Sequence, residues 1–320
     1  ATKSYVSFEP LGVILGIMPW NFPFWQVFRF VIPAILSGNT TMVKHASNVS
    51  GCCLMIEEIF SYQIDCKTFY SLLLPSSKIN HVIKDPIIKA ISLTGSEKAG
   101  SSVGSIAGSE IKKILLELGG ADAFIVCRDA DLIKASKKAV LARMLNAGQS
   151  CIAAKRFIVH KDIKEDFINN IIKILDNMKL DDPSNTTTQI GPLARIDILS
   201  DLKNQINDAL NKGAKLRYQM NDMPSNGYFF PPSIVDDVNP SMDIYYNETF
   251  GPLFTIFSYT DENEAINIAN DTKYGLGGSS GPDRSVSPGI GPSRPRLPES
   301  RKRAACTAVG LGMSLTSDFD

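Results

Sequence analysis

Cys151 closes the run Asn146-Ala147-Gly148-Gln149-Ser150-Cys151, at the end of a stretch that patterns as a helix. A thiol in that place can be a nucleophile, and a nucleophile implies a covalent intermediate. Such chemistry at a carbonyl carbon also needs a donor for the developing oxyanion and a base that delivers water. It further needs an acceptor for what the carbon releases.

Two polar residues answer the first needs. Asn21 sits in Pro19-Trp20-Asn21-Phe22-Pro23, where a strand ends and a helix begins. That is the usual ligand crevice of an open α/β sheet, and an amide there can donate to an oxyanion. An Asx turn closing the strand accounts for Asn21 equally well. Glu117, in Leu116-Glu117-Leu118-Gly119-Gly120, is a lone acid at the end of an apolar run. Partial burial would suit it as a base toward water, while an exposed strand-end acid is the plainer account.

Other positions suit a phosphate-bearing acceptor. Gly95-Ser96 follows a strand and opens a helix, so its backbone N–H groups could face a pyrophosphate. It lacks the GxGxxG spacing, and a lone Gly-Ser turn is a weak signal. Lys44 ends a strand where dinucleotide-binding sheets often carry an acid for the ribose hydroxyls. The sequence there is Lys44-His45-Ala46-Ser47, so a 2′-phosphate would be tolerated. Glu248 and Phe250, in Glu248-Thr249-Phe250-Gly251-Pro252, could bind a sugar hydroxyl and flank a flat ring; an ordinary turn is the alternative.

Alternating strand and helix patterns must position these groups. Strands are predicted at 13–18, 41–44, 90–93 and 114–118, with helices at 24–36, about 49–60 and 97–108. After Gly119-Gly120 the alternation restarts, with strands at 124–126 and 157–159 and helices at 131–145, 163–178 and 199–212. This order predicts an α/β fold, with a doubly wound parallel sheet first. The predicted domains are 1–120, 121–278 and a tail at 279–320. The tail is rich in Pro, Arg, Ser and Gly and is expected to lack order.

The 320 residues are 44% hydrophobic, enough for two cores. Lys plus Arg number 33 against 33 Asp plus Glu, which suggests neither a nucleic-acid nor a membrane-surface partner. Six cysteines without a CxxC pair or a His cluster argue against a disulfide framework or a metal site, and free thiols suit the cytoplasm. The most apolar run, 18–36, is interrupted by Asn21, Pro23, Gln26, Arg29 and Pro33, so it is no clean membrane span.

Taken together, PWNFP, Lys44 in KHAS, TGS at 94–96, LELGG, GQSC and ETFGP match one family in identity, order and spacing. Residues 4–278 resemble the NAD(P)-dependent aldehyde dehydrogenase superfamily. Within it, the run Lys44 to Cys52 is similar to the KHAxNVxGC motif of bacterial succinate-semialdehyde dehydrogenases. The resemblance implies a Rossmann-like cofactor domain and an α/β catalytic domain. It implies Cys151 as nucleophile, Asn21 with the Cys151 N–H as oxyanion donors, and Glu117 as the base that hydrolyses a thioester. It places Ile17, Met18, Pro19 and Trp20 along the cofactor crevice, with Lys44 and Ser47 at the adenosine ribose. Gly95 and Ser96 fall at the pyrophosphate, Glu248 at the nicotinamide ribose and Phe250 beside the ring. The cofactor is NAD or NADP, and the Ser47 position argues against strict NAD preference.

Asn21 and Arg29 are eight positions apart and are predicted to share a helical face, which in the family lines the substrate tunnel. Arginine suits a carboxylate, so Arg29, with Gln26 and Trp25 shaping the tunnel, suggests a short aldehyde carrying a second carboxylate. Succinate semialdehyde is the leading candidate. An Arg29 that reaches to solvent is the alternative.

Intact members extend well beyond both ends of this match, so both domains are expected to be incomplete. The dimer or tetramer of the intact family is not expected of this chain. A fragment or structural relative without turnover, and a CoA-acylating enzyme, are the competing readings. Glu117 speaks against the latter, which needs no hydrolytic base.

Overall fold

The structure, a computed structural model, describes residues 3–63, 67–281 and 289–290. The chain divides after Gly119 into two compact units.

In the first unit, apolar runs bounded by turn residues become strands. They are β1 (Val13–Met18), β2 (Thr40–His45), β3 (Phe69–Ser71), β4 (Ile88–Thr94) and β5 (Lys113–Glu117). Helices α1 (Trp25–Leu36), α2 (Ser50–Gln63), α3 (Ile79–Lys84) and α4 (Glu97–Ser109) connect them. All the pairings are parallel, in the order β3-β2-β1-β4-β5. The chain therefore steps outward from β1 to β3, then returns to β4 on the other side of β1. That reversal opens a crevice at the carboxyl ends of β1 and β4.

The two faces of this sheet bury different sets. Leu15, Ile88, Ile91 and Leu93 pack with Ile79 and Ile83 of α3 and Val103 and Ala107 of α4. Met18, Val43 and Phe69 pack with Val27 and Val31 of α1 and Cys53 and Ile56 of α2. Helices on both faces explain why β1 and β4 read as near-continuous apolar runs.

In the second unit the elements are β6 (Asp122–Val126), α5 (Leu132–Met144), β7 (Ala154–His160), α6 (Lys164–Leu175) and α7 (Ile196–Asn211). They continue as β8 (Lys215–Gln219), β9 (Ser233–Asp236), α8 (Asp243–Tyr246), β10 (Leu253–Tyr259), α9 (Glu262–Asn270), β11 (Gly277–Gly281) and β12 (Gly289–Ile290). The sheet order is β12-β11-β6-β7-β10-β9-β8. Its centre is parallel, and the outer pairs β8–β9 and β11–β12 are antiparallel. Phe124, Phe157 and Phe254 from three adjacent strands join Phe167, Ile168 and Ile171 of α6 in one core. The Asp131 side chain accepts from the Lys134 N–H and starts α5, and Asp261 does the same for α9.

The structure departs from the sequence expectations at two places. The helix after β1 begins at Trp25, so Asn21 lies in the turn ahead of it and not on a shared face with Arg29. The segment 279–320 does not lose structure at its start. Ser279–Gly281 extend β11 alongside Phe124–Val126, and Gly289–Ile290 are paired with Gly277 and Gly278. Residues 282–288 and 291–320 of that segment lie outside the described residues.

Candidate active site

The predicted residues divide between the units. In the first, they gather at the carboxyl ends of the strands. Ile17 and Met18 end β1, and Pro19, Trp20 and Asn21 form the turn that follows. Gln26 is buried on α1, whereas Trp25 and Arg29 of the same helix are exposed. Lys44, near the end of β2, is buried, and its Nζ donates to the Ser76 Oγ at 3.1 Å. Burial lowers its pKa. Ser47 is exposed one turn further on.

Gly95 and Ser96 bridge β4 and α4. Ser96 is the helix N-cap, with its Oγ accepting from the Ala99 N–H at 3.3 Å. The Gly95 N–H donates to the Glu117 carbonyl at 3.0 Å, tying this turn to the end of β5. The Glu117 side chain faces Arg29, with Oε2 3.7 Å from Nη2 and both side chains more than a third exposed. A loose, wet pair of this kind contributes about 0–1 kcal/mol. The structure thus gives the arginine expected for a substrate carboxylate a carboxylate already within the first unit.

In the second unit the candidates lie at the amino ends of neighbouring strands. Cys151 precedes β7, Glu248 precedes β10, and Gly120 precedes β6. The loop carrying Cys151 starts where α5 stops. Asn146, Ala147 and Gly148 adopt φ of 54°, 51° and 74°, three left-handed residues in succession. Glycine is required at 148 twice over, by this φ and by the approach of the Gly251 carbonyl and the Arg143 guanidinium. Gly120 is similarly constrained, since a Cβ there would stand 2.8 Å from the Cys151 carbonyl oxygen.

Buried cations hold the loop. Arg143, 0% exposed, donates from Nη1 to the Ala154 carbonyl at 3.0 Å and from Nη2 to the Gly148 carbonyl at 2.6 Å. The same Nη2 reaches the Thr249 carbonyl at 3.2 Å, joining the Cys151 loop to the segment before β10. Burial pushes Arg143 down to about 10, so it stays charged at neutral pH. Lys155, 1% exposed, donates to the carbonyls of Ser150, Cys151 and Ala153 at 3.1, 2.7 and 3.3 Å. It also pairs with Glu248 Oε1 at 3.1 Å. Burial lowers the Lys155 pKa and Glu248 opposes that shift.

Gln149 completes the frame, accepting from the Ala194 N–H at 2.9 Å and donating to the Asn146 carbonyl at 3.1 Å. Glu248 Oε1 also accepts from the Gly120 N–H at 3.3 Å, and its main-chain carbonyl accepts from Gln205 Nε2 at 3.1 Å. Phe250 is half-buried two residues on. Asp122, buried at the start of β6, is pushed up to about 6 by desolvation, against the pull of the Lys155 charge.

Sequence reasoning missed Arg143, Lys155 and Asp122. A signal was present. Arg143 interrupts the apolar face Ala139, Val140 and Met144, and Lys155-Arg156 open an otherwise apolar strand.

The donor chemistry fits a phosphate-bearing dinucleotide. The end of β2 offers an ammonium with the hydroxyls of Ser47 and Ser76, and the start of α4 offers a hydroxyl and helix N–H groups. In the second unit, Glu248 offers a carboxylate whose orientation is fixed through one oxygen.

The sequence profile described as the aldehyde dehydrogenase family matches residues 1–280. A succinate-semialdehyde dehydrogenase (NADP+) of Mycobacterium avium is 45% identical over 280 residues, covering 87% of this chain and 59% of that relative. The Mycobacterium tuberculosis H37Rv succinate-semialdehyde dehydrogenase (NADP+) 1 is 44% identical, with 87% and 61% covered. Among solved structures, the succinic semialdehyde dehydrogenase of Streptococcus pyogenes in complex with NADP+ superposes with a TM-score of 0.83 at 36% identity. That match covers 86% of this chain and 61% of that one. The chain thus spans roughly three fifths of the relatives it matches.

Proposed function

The chain belongs to the aldehyde dehydrogenase family, and we propose that it carries the residues for NAD(P)-dependent oxidation of a short aldehyde with a second carboxylate. Succinate semialdehyde is the first candidate, and NADP+ the favoured cofactor. The observation that carries this reading is the Cys151 loop. A left-handed turn fastened by two buried cations holds the Cys151 main chain and the Glu248 carboxylate on one buried ammonium.

By resemblance, each residue takes one part. The Cys151 thiolate adds to the aldehyde carbon. The hydrogen on a neutral aldehyde carbon does not leave as hydride, because an acylium ion would remain, whereas the tetrahedral alkoxide can re-form its carbonyl as the hydride departs. The Asn21 side-chain amide and the Cys151 N–H donate to that alkoxide. Bound NADP+ supplies the hydride acceptor. Lys44 with Ser47 holds the adenosine ribose and its 2′-phosphate, the Ser96 turn meets the pyrophosphate, and Glu248 takes a ribose hydroxyl. Glu117 then removes a proton from water, whose oxygen displaces the Cys151 sulfur from the thioester and yields the acid. The names of the Mycobacterium and Streptococcus relatives support the substrate and the cofactor.

Arg29 is the proposed partner of the substrate's far carboxylate, with Gln26 and Trp25 shaping the approach. An incoming carboxylate would replace Glu117 at the guanidinium and leave Glu117 to act on water. A cytosolic setting suits the cysteines Cys52, Cys53, Cys127 and Cys151. The test is steady-state kinetics of Arg29→Leu. The KM for succinate semialdehyde should rise by about tenfold or more, as expected for a lost charge-assisted contact. The KM for butyraldehyde should hardly move. Equal changes for both aldehydes would refute the assignment of Arg29.

A further inference from the structure

Lys155 is a buried ammonium with an unusual set of partners. Three of them are main-chain carbonyls of one short loop, Ser150, Cys151 and Ala153, and the fourth is Glu248 Oε1. The charged groups facing it are Glu248, Asp122 and a second buried cation, Arg143. An ammonium has three protons, so it can satisfy this cage only if the loop wraps closely around it. Removing such a cation leaves several buried acceptors unpaired at once.

Glu248 is held as specifically. Its Oε1 receives both Lys155 Nζ and the Gly120 N–H. Gly120 in turn lies against the Cys151 carbonyl, where a Cβ would not fit. One cation therefore sits at the junction of the amino ends of β6, β7 and β10.

We propose that Lys155 is a positioning residue that sets the Cys151 loop and the Glu248 carboxylate through a single buried charge. It acts on chemistry through these two groups and touches no reacting atom itself. Its charge, next to the Cys151 main chain, also favours the thiolate over the thiol. The inference rests on the reading of Cys151 as nucleophile and Glu248 as ribose ligand. Its test, however, reads thiol reactivity and needs neither aldehyde nor cofactor.

The experiment is site-resolved alkylation of the full chain by iodoacetamide at neutral pH, followed by peptide mass spectrometry. Cys127 of the same unit is the internal reference. In Lys155→Met, Cys151 should react about tenfold more slowly while Cys127 keeps its rate, because the thiolate loses its nearby cation. Lys155→Arg, which keeps the charge, should restore Cys151 to within about threefold of wild type. A Cys151 that reacts as fast or faster in Lys155→Met, or a Lys155→Arg as slow as Lys155→Met, overturns the proposal. If Lys155→Met does not fold, as judged by circular dichroism, Glu248→Gln decides. An uncompensated Lys155 should speed Cys151, and an unchanged or slower rate overturns the proposal. A wild-type chain that oxidises no aldehyde but obeys this pattern would refute the proposed function and leave the role of Lys155 standing.

Discussion

Asp122 is buried at the start of β6, and its carboxyl is pushed from 3.8 up to about 6. A raised carboxyl pKa means that the folded state favours the proton. Stability linked to this group is full below about 3.8 and is lost as the pH rises through about 6. At neutral pH the ionised group therefore costs about 2–3 kcal/mol at most. Asp122→Asn should raise the urea midpoint near neutral pH, and its advantage should shrink as the pH falls from about 6 toward about 4. An advantage independent of pH would mean that charge is not the cause. The residues legible from sequence were those with reactive types at odd places: a thiol after a Gly-Gln pair, an amide between two prolines, an acid ahead of two glycines. Arg143, Lys155 and Asp122 escaped because their roles lie in main-chain carbonyls and burial, which residue type and spacing do not reveal. Arg29 was legible as a misplaced charge, but its partner Glu117 was not, since they meet only through the parallel order of β1, β4 and β5.

At the scale of elements, the Cys151 loop is the most constrained connection. Left-handed φ at Ala147 and Asn146 costs about 1–3 kcal/mol per residue, least for Asn. Hydrogen bonds from Arg143, Lys155 and Gln149 offset that cost. Gly148→Ala should destabilise the chain by about 2 kcal/mol or more, because strain at φ +74° adds to a clash with the Gly251 carbonyl. Ala147→Gly should stabilise it by about 0.5–1 kcal/mol or leave it unchanged. Both are read from chemical denaturation midpoints, and a neutral Gly148→Ala would contradict the geometry of the turn. The long apolar strands and the helices around them matched their predicted places because burial on both faces writes a clear pattern. Strands β3, β8 and β9 were among those missed. β3 has three residues, β8 is the charged outer strand Lys215–Gln219, and β9 has only four residues. Helix α9 was missed because Ala265 is its one buried residue. Asn21 was wrongly placed on the α1 face because eight positions suggest two turns only if the helix already runs at 21.

At the scale of the whole molecule, strand β5 forms an outer edge of the first sheet and leaves Leu115 and Leu116 59% and 37% exposed. Ile111, just before it, is 94% exposed. An apolar outer strand invites pairing with another chain. The chain should therefore self-associate with rising concentration in sedimentation velocity, and Leu115→Lys should reduce that association. A monodisperse monomer for both proteins would contradict this reading of the edge. No described helix is long and apolar enough to cross a membrane. The proposed oxidation turns on one sulfur, that of Cys151. The most direct test is to mix the chain with succinate semialdehyde and NADP+, quench in acid within a turnover, and map adducts by mass spectrometry. A succinyl thioester on Cys151, absent when NADP+ is omitted and absent in Cys151→Ser, is the expected result. A folded chain with no adduct at Cys151, or with the same adduct spread over its other cysteines, would contradict the account.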